Sequence, residues 1–251
     1  MFDLTGKTAL VTGGSRGLGL SVAENFHKQG AQVVILSRSQ KCKEVASRLC
    51  GDGGAPVYGV CCDLSVRENI EPAFSKALDL LGGRLDILVN NAGIQRNHTC
   101  TDFPVEYWDD VMKVNGDAVF LLTQLAGKHM VSNRYGRIIN FASMLSFGGG
   151  RLSLAYAFSK GGIAQITKAY SNEWAQYGVT VNAIAPGFMF TDMNEKMFSD
   201  LSKSGHLLTR IPVGRWGKAE DIGPAAVFLA SDEAAYVSGI VLPIDGGFLA
   251  W

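Results

Sequence analysis

The sequence predicts an α/β fold: one doubly wound, parallel sheet of seven strands flanked by helices. Three observations lead there. Seven short runs are almost continuously apolar, as strands buried on both faces must be. Segments of helical length separate them in strict βα alternation, which calls for right-handed crossovers. No internal repeat, low-complexity tract or Pro/Ser linker divides the 251 residues, so residues 1–251 read as a single domain with one large core.

The strand candidates are Thr8–Thr12, Gln32–Ser37, Val57–Cys61, Ile87–Asn90, Arg137–Phe141, Thr180–Ala185 and Val241–Ile244. The first runs into a glycine-rich turn and a helix expected over Leu18–Gln29, with Gly30 as its stop. The second and third lead into Lys41–Cys50 and Arg67–Leu80; Asp63 is a candidate cap before Arg67. The fourth precedes a long helix over Glu106–Ser132, and the fifth precedes Ala155–Gln176. Gly136 and Gly178 sit where those helices should stop, because glycine accepts the left-handed conformation that ends a helix. A last helix over Lys218–Ala230 precedes the seventh strand. Only Gly187–Gly217 breaks the rhythm. It is too long for an ordinary βα loop and leaves the carboxyl end of the sheet, so it is expected to be a substrate lid.

Lys and Arg number 23, as do Asp and Glu, and they are scattered. This balance excludes the electrostatic footprint of a nucleic-acid or anionic-membrane binder. The five cysteines, Cys42, Cys50, Cys61, Cys62 and Cys100, are odd in number and contain no C-x-x-C pair. Free thiols in a reducing compartment are therefore expected, with Cys61 and Cys62 as inert packing in an apolar strand. His27, His98, His129 and His206 lack metal-ligand spacing, so no metal is expected. No apolar run reaches the roughly 18 residues of a membrane span, and no secretory pattern follows Met1. The Phe-Leu-Ala-Trp ending is not a peroxisomal address. A cytoplasmic protein is expected. Trp251 is expected to dock at a subunit contact.

The turn after the first strand reads Thr12-Gly13-Gly14-Ser15-Arg16-Gly17-Leu18-Gly19. Gly13 can take a backbone conformation closed to other residues, while Gly17 and Gly19 let a dinucleotide and the next strand approach the helix start. The free N–H groups and positive dipole end of that helix suit a pyrophosphate. Gly13, Ser15, Arg16, Gly17, Leu18 and Gly19 are the expected contacts. An acid at the end of the second strand would hold the ribose diol of NAD and repel a 2′-phosphate. The sequence there is Ser37-Arg38, with no carboxylate, and Arg16 lies in reach of the same pocket. Two arginines and no acid favour NADP(H) over NAD(H).

With that G-x-x-x-G-x-G spacing go Asn90-Asn91-Ala92-Gly93, then Asn115, Ser143, Tyr156 and Lys160, with thirteen residues from Ser143 to Tyr156. From Lys7 to Asp245 the chain resembles the short-chain dehydrogenase/reductase family. The resemblance implies a Rossmann-like fold, a homotetramer, and NAD(P)-dependent interconversion of an alcohol and a ketone. It implies that Asp63 and Leu64 face the adenine, and that Asn91, Ala92 and Gly93 line the cofactor cleft and steady the sheet. It also implies that Pro186, Gly187, Met189 and Thr191 close over the nicotinamide. Asn115, Ser143, Tyr156 and Lys160 become the catalytic tetrad, Asn115 interrupting its helix and holding a water that connects Lys160 to solvent.

Tyr156 and Lys160 are four residues apart and share a helix face. A free tyrosine has a pKa of about 10, so bringing it near 7 requires roughly 4 kcal/mol. One ammonium about 4 Å away contributes about 4 kcal/mol at an effective dielectric near 20. Lys160, with an oxidised nicotinamide, is therefore expected to lower Tyr156 enough to move the alcohol proton. Ser143 is expected to hold the substrate oxygen.

Several stretches are more similar to one branch of the family, the gluconate 5-dehydrogenases and 2-deoxy-gluconate 3-dehydrogenases. They are 90–96, 142–147, 182–187, 215–217 and 245–249. The branch implies a sugar acid or polyol as substrate. A carboxylate removed from water needs a cation. Arg96, after the N-N-A-G-I-Q stretch, is the first candidate, followed by Arg151 and Arg215, with Leu145 in the substrate wall. Two other readings stand beside this one: a reductase of a carrier-bound 3-oxoacyl group, and a cofactor-sensing protein without turnover. The sequence shows no basic patch for an acidic carrier, and its intact tetrad argues against the second.

Overall fold

The structure, a computed structural model, describes residues 2–51, 54–191 and 201–250. The chain begins with β1 (Thr8–Thr12), α1 (Gly17–Lys28), β2 (Gln32–Ser37), α2 (Lys41–Gly51) and β3 (Val57–Cys61). A 3₁₀ turn at Arg67–Asn69 leads into α3 (Ile70–Leu80), followed by β4 (Ile87–Asn90). Next come α4 (Val105–Met112), a π-helical turn (Lys113–Asp117), α5 (Ala118–Asn133) and β5 (Gly136–Phe141). The chain continues through α6 (Leu154–Trp174), β6 (Val179–Pro186), α7 (Leu201–Leu208), α8 (Gly223–Ala230) and β7 (Val241–Ile244).

The strands form one parallel sheet in the order β3-β2-β1-β4-β5-β6-β7. The order reverses between β1 and β4, so the carboxyl ends of those strands open the crevice where such sheets bind ligands. All five residues of β1 are buried, and they alternate between two cores. Ala9 and Val11 pack with Phe26 of α1, whereas Leu10 packs with Phe74 of α3 and Met130 of α5. Burial on both faces explains why the strands read as solid apolar runs rather than alternating ones.

The predicted strands agree with the observed ones to within one residue at each end. The helices differ more. Glu106–Ser132 is not one helix: the π turn, with Asn115 inside it, separates α4 from α5. Lys218–Ala230 divides into a 3₁₀ turn at Ala219–Asp221 and α8, which starts with Pro224 in its first turn. Gly136 does not stop α5. Arg134 does so, at φ 53°, while Gly136 opens β5, where a Cβ would lie 2.5 Å from the Met130 sulfur.

Candidate active site

The site gathers at the carboxyl ends of β1, β4, β5 and β6. Ser143 follows β5 and caps a short 3₁₀ turn, Met144–Ser146. Its Oγ accepts from the Leu145 N–H at 3.1 Å, and its own N–H donates to Ser146 Oγ at 3.3 Å. The Ser146 hydroxyl then donates to the Lys160 carbonyl at 2.6 Å. Ser146 therefore ties the Ser143 turn to the helix carrying Tyr156 and Lys160. It did not stand out in the sequence, although Ser143-Met144-Leu145-Ser146 has the S-x-x-polar spacing of a capping box. Leu145 is half-buried beside Ser143, with its side chain against Gly150.

Tyr156 and Lys160 lie on one face of α6, one turn apart. The Ser143 side chain lies close enough to the Tyr156 hydroxyl to favour its ionised form. Lys160 is 5% exposed; its Nζ lies 5.6 Å from the Tyr156 ring centroid and donates to the Phe141 carbonyl. The electrostatics differ from the sequence expectation. Burial pushes the Tyr156 hydroxyl above its ordinary value, partly offset by Ser143. Burial also pushes the Lys160 ammonium down, to about 8. The lysine has turned to a backbone carbonyl and does not face the phenol oxygen, so desolvation outweighs its attraction. A protein-only pocket thus holds a protonated tyrosine at neutral pH.

Asn115, 1% exposed, uses its amide as a clamp. Oδ1 accepts from the Ile94 N–H at 2.9 Å, and Nδ2 donates to the Ile94 carbonyl at 3.0 Å and to Ser159 Oγ at 3.1 Å. The π turn aims this side chain between the loop after β4 and α6, a common use of such bulges. Gly93 is in the same crowd: a Cβ there would lie 3.4 Å from Asn115 Oδ1 and 3.7 Å from Lys160 Nζ. Ser159 completes the link by donating to the Tyr156 carbonyl at 2.8 Å.

Across the crevice, Gly13 has φ +66° and Gly17 φ +55°. Gly19 lies so close to the end of β4 that a Cβ would meet the Asn91 amide and come within 2.5 Å of the Gly13 carbonyl oxygen. Asn91 clamps the turn by donating from Nδ2 to the Thr12 and Gly13 carbonyls at 2.9 and 3.3 Å. The Asn91 and Ala92 N–H groups both donate to Thr12 Oγ1, each at 3.0 Å. Ser15 and Leu18 are half-buried beside these glycines, and Arg16 is the extended N-cap residue of α1, making no side-chain cap bond. The first-turn N–H groups of α1 are not covered by their own cap.

Ser37 ends β2 in a buried position, with Arg38 exposed after it. Asp63 accepts from the Ser65 N–H and hydroxyl at 3.0 and 2.7 Å; those bonds, helped by the Arg38 charge, lower its pKa. Leu64 beside it is 7% exposed. On the far side Pro186 closes β6. Gly187 passes so close to Asp245 that a Cβ would lie 2.7 Å from its Cα. The two ends of the lid are stitched together: the Phe190 N–H donates to the Gly217 carbonyl at 2.7 Å and the Gly217 N–H to Phe188 at 3.0 Å. Met189 is buried in this junction. The Thr191 methyl lies 3.9 Å from where a Gly17 Cβ would stand, so the lid begins directly over the glycine turn. Residues 192–200 of the expected lid, and Trp251, lie outside the described residues.

The substrate-side arginines part company. Arg96 is ion-paired to Asp110 of α4 through Nε at 3.3 Å and Nη2 at 3.1 Å, and it leans on the Tyr107 ring. Its Nη1 carries no hydrogen bond among the described residues. Arg151 is exposed, with no ion pair among the described residues. Arg215 is committed elsewhere, in a two-pronged pair with Asp221 at 2.7 and 2.8 Å that holds the Asp221 carboxyl down at about 2. With Phe190, Trp216 and Lys218 it lines a cavity of about 590 Å³ to which none of the tetrad contributes. The Arg215–Asp221 pair holds this guanidinium at the end of the lid, at a cavity apart from the tetrad.

A family model described as enoyl-(acyl carrier protein) reductase matches residues 13–249. The chain is 43% identical to a 2-dehydro-3-deoxy-D-gluconate 5-dehydrogenase of Bacillus subtilis (strain 168), over 99% of this chain and 97% of that one. This chain is a short-chain dehydrogenase/reductase. Within that family it is also 36% identical to a 5-keto-D-gluconate 5-reductase of Escherichia coli (strain K12), over 99% of this chain and 98% of that one. A gluconate 5-dehydrogenase from Burkholderia cenocepacia J2315, solved in complex with NADP and tartrate, superposes with a TM-score of 0.95 at 36% identity, covering 100% of this chain and 98% of that one. The chain is thus an oxidoreductase acting on CH–OH groups.

Proposed function

We propose that this dehydrogenase interconverts a secondary alcohol and a ketone on a sugar acid of the gluconate/ketogluconate type, using NADP(H). The observation that carries the reading is the gathering of Ser143, Tyr156 and buried Lys160, tied together through Ser146, at the carboxyl edge of β5 and next to the glycine turn. The names of the relatives supply the substrate class.

The residues fit a dinucleotide. The uncapped start of α1, the open space at the Gly17 Cβ position and the left-handed Gly13 form a backbone cradle that a pyrophosphate can enter. Exposed Arg38, with no acid at the end of β2, suits a 2′-phosphate; Asp63 and Leu64 border the adenine side, and Asn91, Ala92, Gly93, Pro186, Gly187, Met189 and Thr191 the nicotinamide side. When bound, NADP(H) supplies or accepts the hydride. Everything else falls to the chain. Ser143 holds the substrate oxygen. Tyr156, protonated at neutral pH, gives its proton to a ketone oxygen in the reductive direction and takes it back in the oxidative one. Lys160, its ammonium held on the Phe141 carbonyl, lies 5.6 Å from the Tyr156 ring and supplies the site's buried positive charge. Asn115 and Ser146 keep the loop after β4 and the Ser143 turn in register with α6.

Arg96 is the proposed reader of the substrate carboxylate. Asp110 pins one side of the guanidinium, which leaves Nη1 to bond outward from a fixed position. The Arg96–Asp110 pair is exposed on both sides and so contributes little by itself, about 0–1 kcal/mol. Arg151, which forms no ion pair among the described residues, adds positive charge. A homotetramer is supported by exposed apolar side chains on neighbouring helices: Val105 (69%), Phe120 (42%) and Phe158 (57%). The cytoplasm is consistent with an enzyme in which, among the described residues, no helix is long and apolar enough to cross a membrane.

The test is a panel of 5-ketogluconate, a neutral ketose and a 3-oxoacyl thioester, each with NADPH and NADH, and of 2-dehydro-3-deoxygluconate, oxidised at its C5 alcohol, with NADP+ and NAD+. A sugar acid with NADP(H) should give the highest kcat/KM. The thioester is included because a 3-oxoacyl-[acyl-carrier-protein] reductase of Haemophilus influenzae is 38% identical over 97% of this chain. Turnover of the thioester alone would overturn the sugar-acid reading.

A further inference from the structure

Two thiols that the sequence marked only as free cysteines, or as inert packing, meet beside the proposed 2′-phosphate pocket. Cys42 Sγ and Cys61 Sγ are 3.4 Å apart. Packing sets that approach. Gly59 of β3 lies against the start of α2, where a Cβ would be 2.6 Å from the Cys42 backbone. Cys61 is two residues further along the strand and so points to the same face. The absent side chain at Gly59 thus seats α2 low enough for the two sulfurs to touch.

The pair is wired into the segment that presents Arg38. Ser37 stands opposite Cys61 in the β2–β3 register, and its hydroxyl donates to the Ser39 carbonyl at 3.2 Å. The Cys61 thiol reaches the Ser39 carbonyl at 3.7 Å and Gln40 Oε1 at 3.3 Å. The Cys42 N–H donates to the same Ser39 carbonyl at 3.3 Å. The segment directly after Arg38 therefore rests on these two cysteines. Cys42 is fully buried, whereas Cys61 is partly exposed. An oxidant meets Cys61 first, and Cys42 is placed to resolve it.

We propose that Cys42 and Cys61 form a reversible dithiol–disulfide site, oxidised by hydrogen peroxide, whose closure displaces the Ser37–Lys41 segment and weakens NADP(H) binding. In the first step the Cys61 thiolate attacks a peroxide oxygen, the O–O bond breaks, and Cys61 becomes a sulfenic acid as hydroxide leaves and takes a proton. In the second step the Cys42 sulfur, losing its proton, attacks the Cys61 sulfur; the S–O bond breaks and a second water forms. Two thiols lose two electrons and two protons, and one peroxide becomes two waters. The sulfurs must close from 3.4 Å to the roughly 2.05 Å of a disulfide, and both S–H donors are lost. Ser39 and Gln40, on the C-terminal side of Arg38, then lose their bonds from the Cys61 thiol. The site itself is independent of the cofactor; its effect on binding rests on the NADP(H) reading.

The test uses the full-length enzyme carrying Cys50→Ser and Cys100→Ser, which removes the two exposed thiols. After peroxide treatment, unreduced digests should show the Cys42 peptide joined to the Cys61 peptide, and dithiothreitol should separate them. NADPH fluorescence titration should show Kd raised about tenfold or more, the loss of one charge-assisted contact, and restored by dithiothreitol. Adding either Cys42→Ser or Cys61→Ser should abolish both the bridge and the change in Kd. No bridge, or a bridge with unchanged Kd for NADPH, overturns the proposal. Tighter binding of NADH than NADPH by the untreated enzyme would refute the cofactor reading, and with it the coupling, before any oxidant is added.

Discussion

Replacing Lys160 with Met should remove a pH dependence from the stability of the protein. Lys160 is 5% exposed, and burial lowers its pKa from 10.5 to about 8. That difference corresponds to roughly 3 kcal/mol. Its sign follows from proton counting. Between about pH 8 and 10.5 the unfolded chain holds the lysine proton and the folded chain does not, so stability rises with pH across that window. Below pH 8 both states carry the charge, and the folded state bears the full cost of desolvating it. Met fills a similar volume and carries no charge. The wild type should therefore gain stability relative to Lys160→Met as pH rises from 7 to 10, by about 2–3 kcal/mol. At pH 7 the mutant escapes the desolvation cost but loses the charge-assisted bond to the Phe141 carbonyl, worth about 1.5–3 kcal/mol, so the two should differ little there. Urea unfolding of both proteins at several pH values measures this, and taking the difference cancels the other titrating groups. A flat difference would show that Lys160 is not held in the desolvated state described above. Turnover by the mutant should be severely impaired in either case.

Other perturbations probe the two walls of the crevice. Gly19→Ala drives a Cβ into the Asn91 amide and the Gly13 carbonyl, so it should lower the unfolding free energy by about 2 kcal/mol or more in urea titrations. Gly17→Ala meets only the Thr191 methyl at 3.9 Å and should cost about 1 kcal/mol for its left-handed backbone, while raising the KM for NADPH more than its stability loss explains. Arg38→Asp puts a carboxylate beside the 2′-phosphate, so the ratio of kcat/KM for NADPH to that for NADH should fall sharply; an unchanged ratio would remove Arg38 from the cofactor site. Arg96→Met should raise KM for a sugar acid roughly 10- to 150-fold and leave a neutral ketose of similar length nearly unaffected. Asp110→Asn, which releases Arg96 while keeping its charge, should cost much less; equal losses in both variants would make Arg96 a structural partner only.

Most of the fold was legible because parallel strands buried on both faces admit few polar residues, and the glycine turn lies between one such strand and a helix. The tetrad was legible through its order and spacing. What the sequence concealed depends on side-chain direction. Periodicity cannot reveal that Asn115 sits in a π turn, because α4 and α5 share a continuous apolar pattern through it. The turn of Lys160 toward the Phe141 carbonyl, which reverses the expected effect on Tyr156, depends on where β5 ends relative to α6. The Arg96–Asp110 pair joins residues 14 apart across a loop, and the Cys42–Cys61 contact joins residues 19 apart through a packing gap at Gly59. Arg134 ends α5 in the left-handed conformation that the sequence had assigned to Gly136.

The most direct measurement is single-turnover reduction of 5-ketogluconate by NADPH with Tyr156→Phe. The ring stays, so packing and NADPH binding should be nearly unchanged, but the phenolic proton is gone. The rate should fall by at least about 100-fold, the usual loss when a general acid is removed. Turnover near the wild-type rate, with NADPH bound normally, would contradict the assignment of Tyr156 as the group that moves the proton.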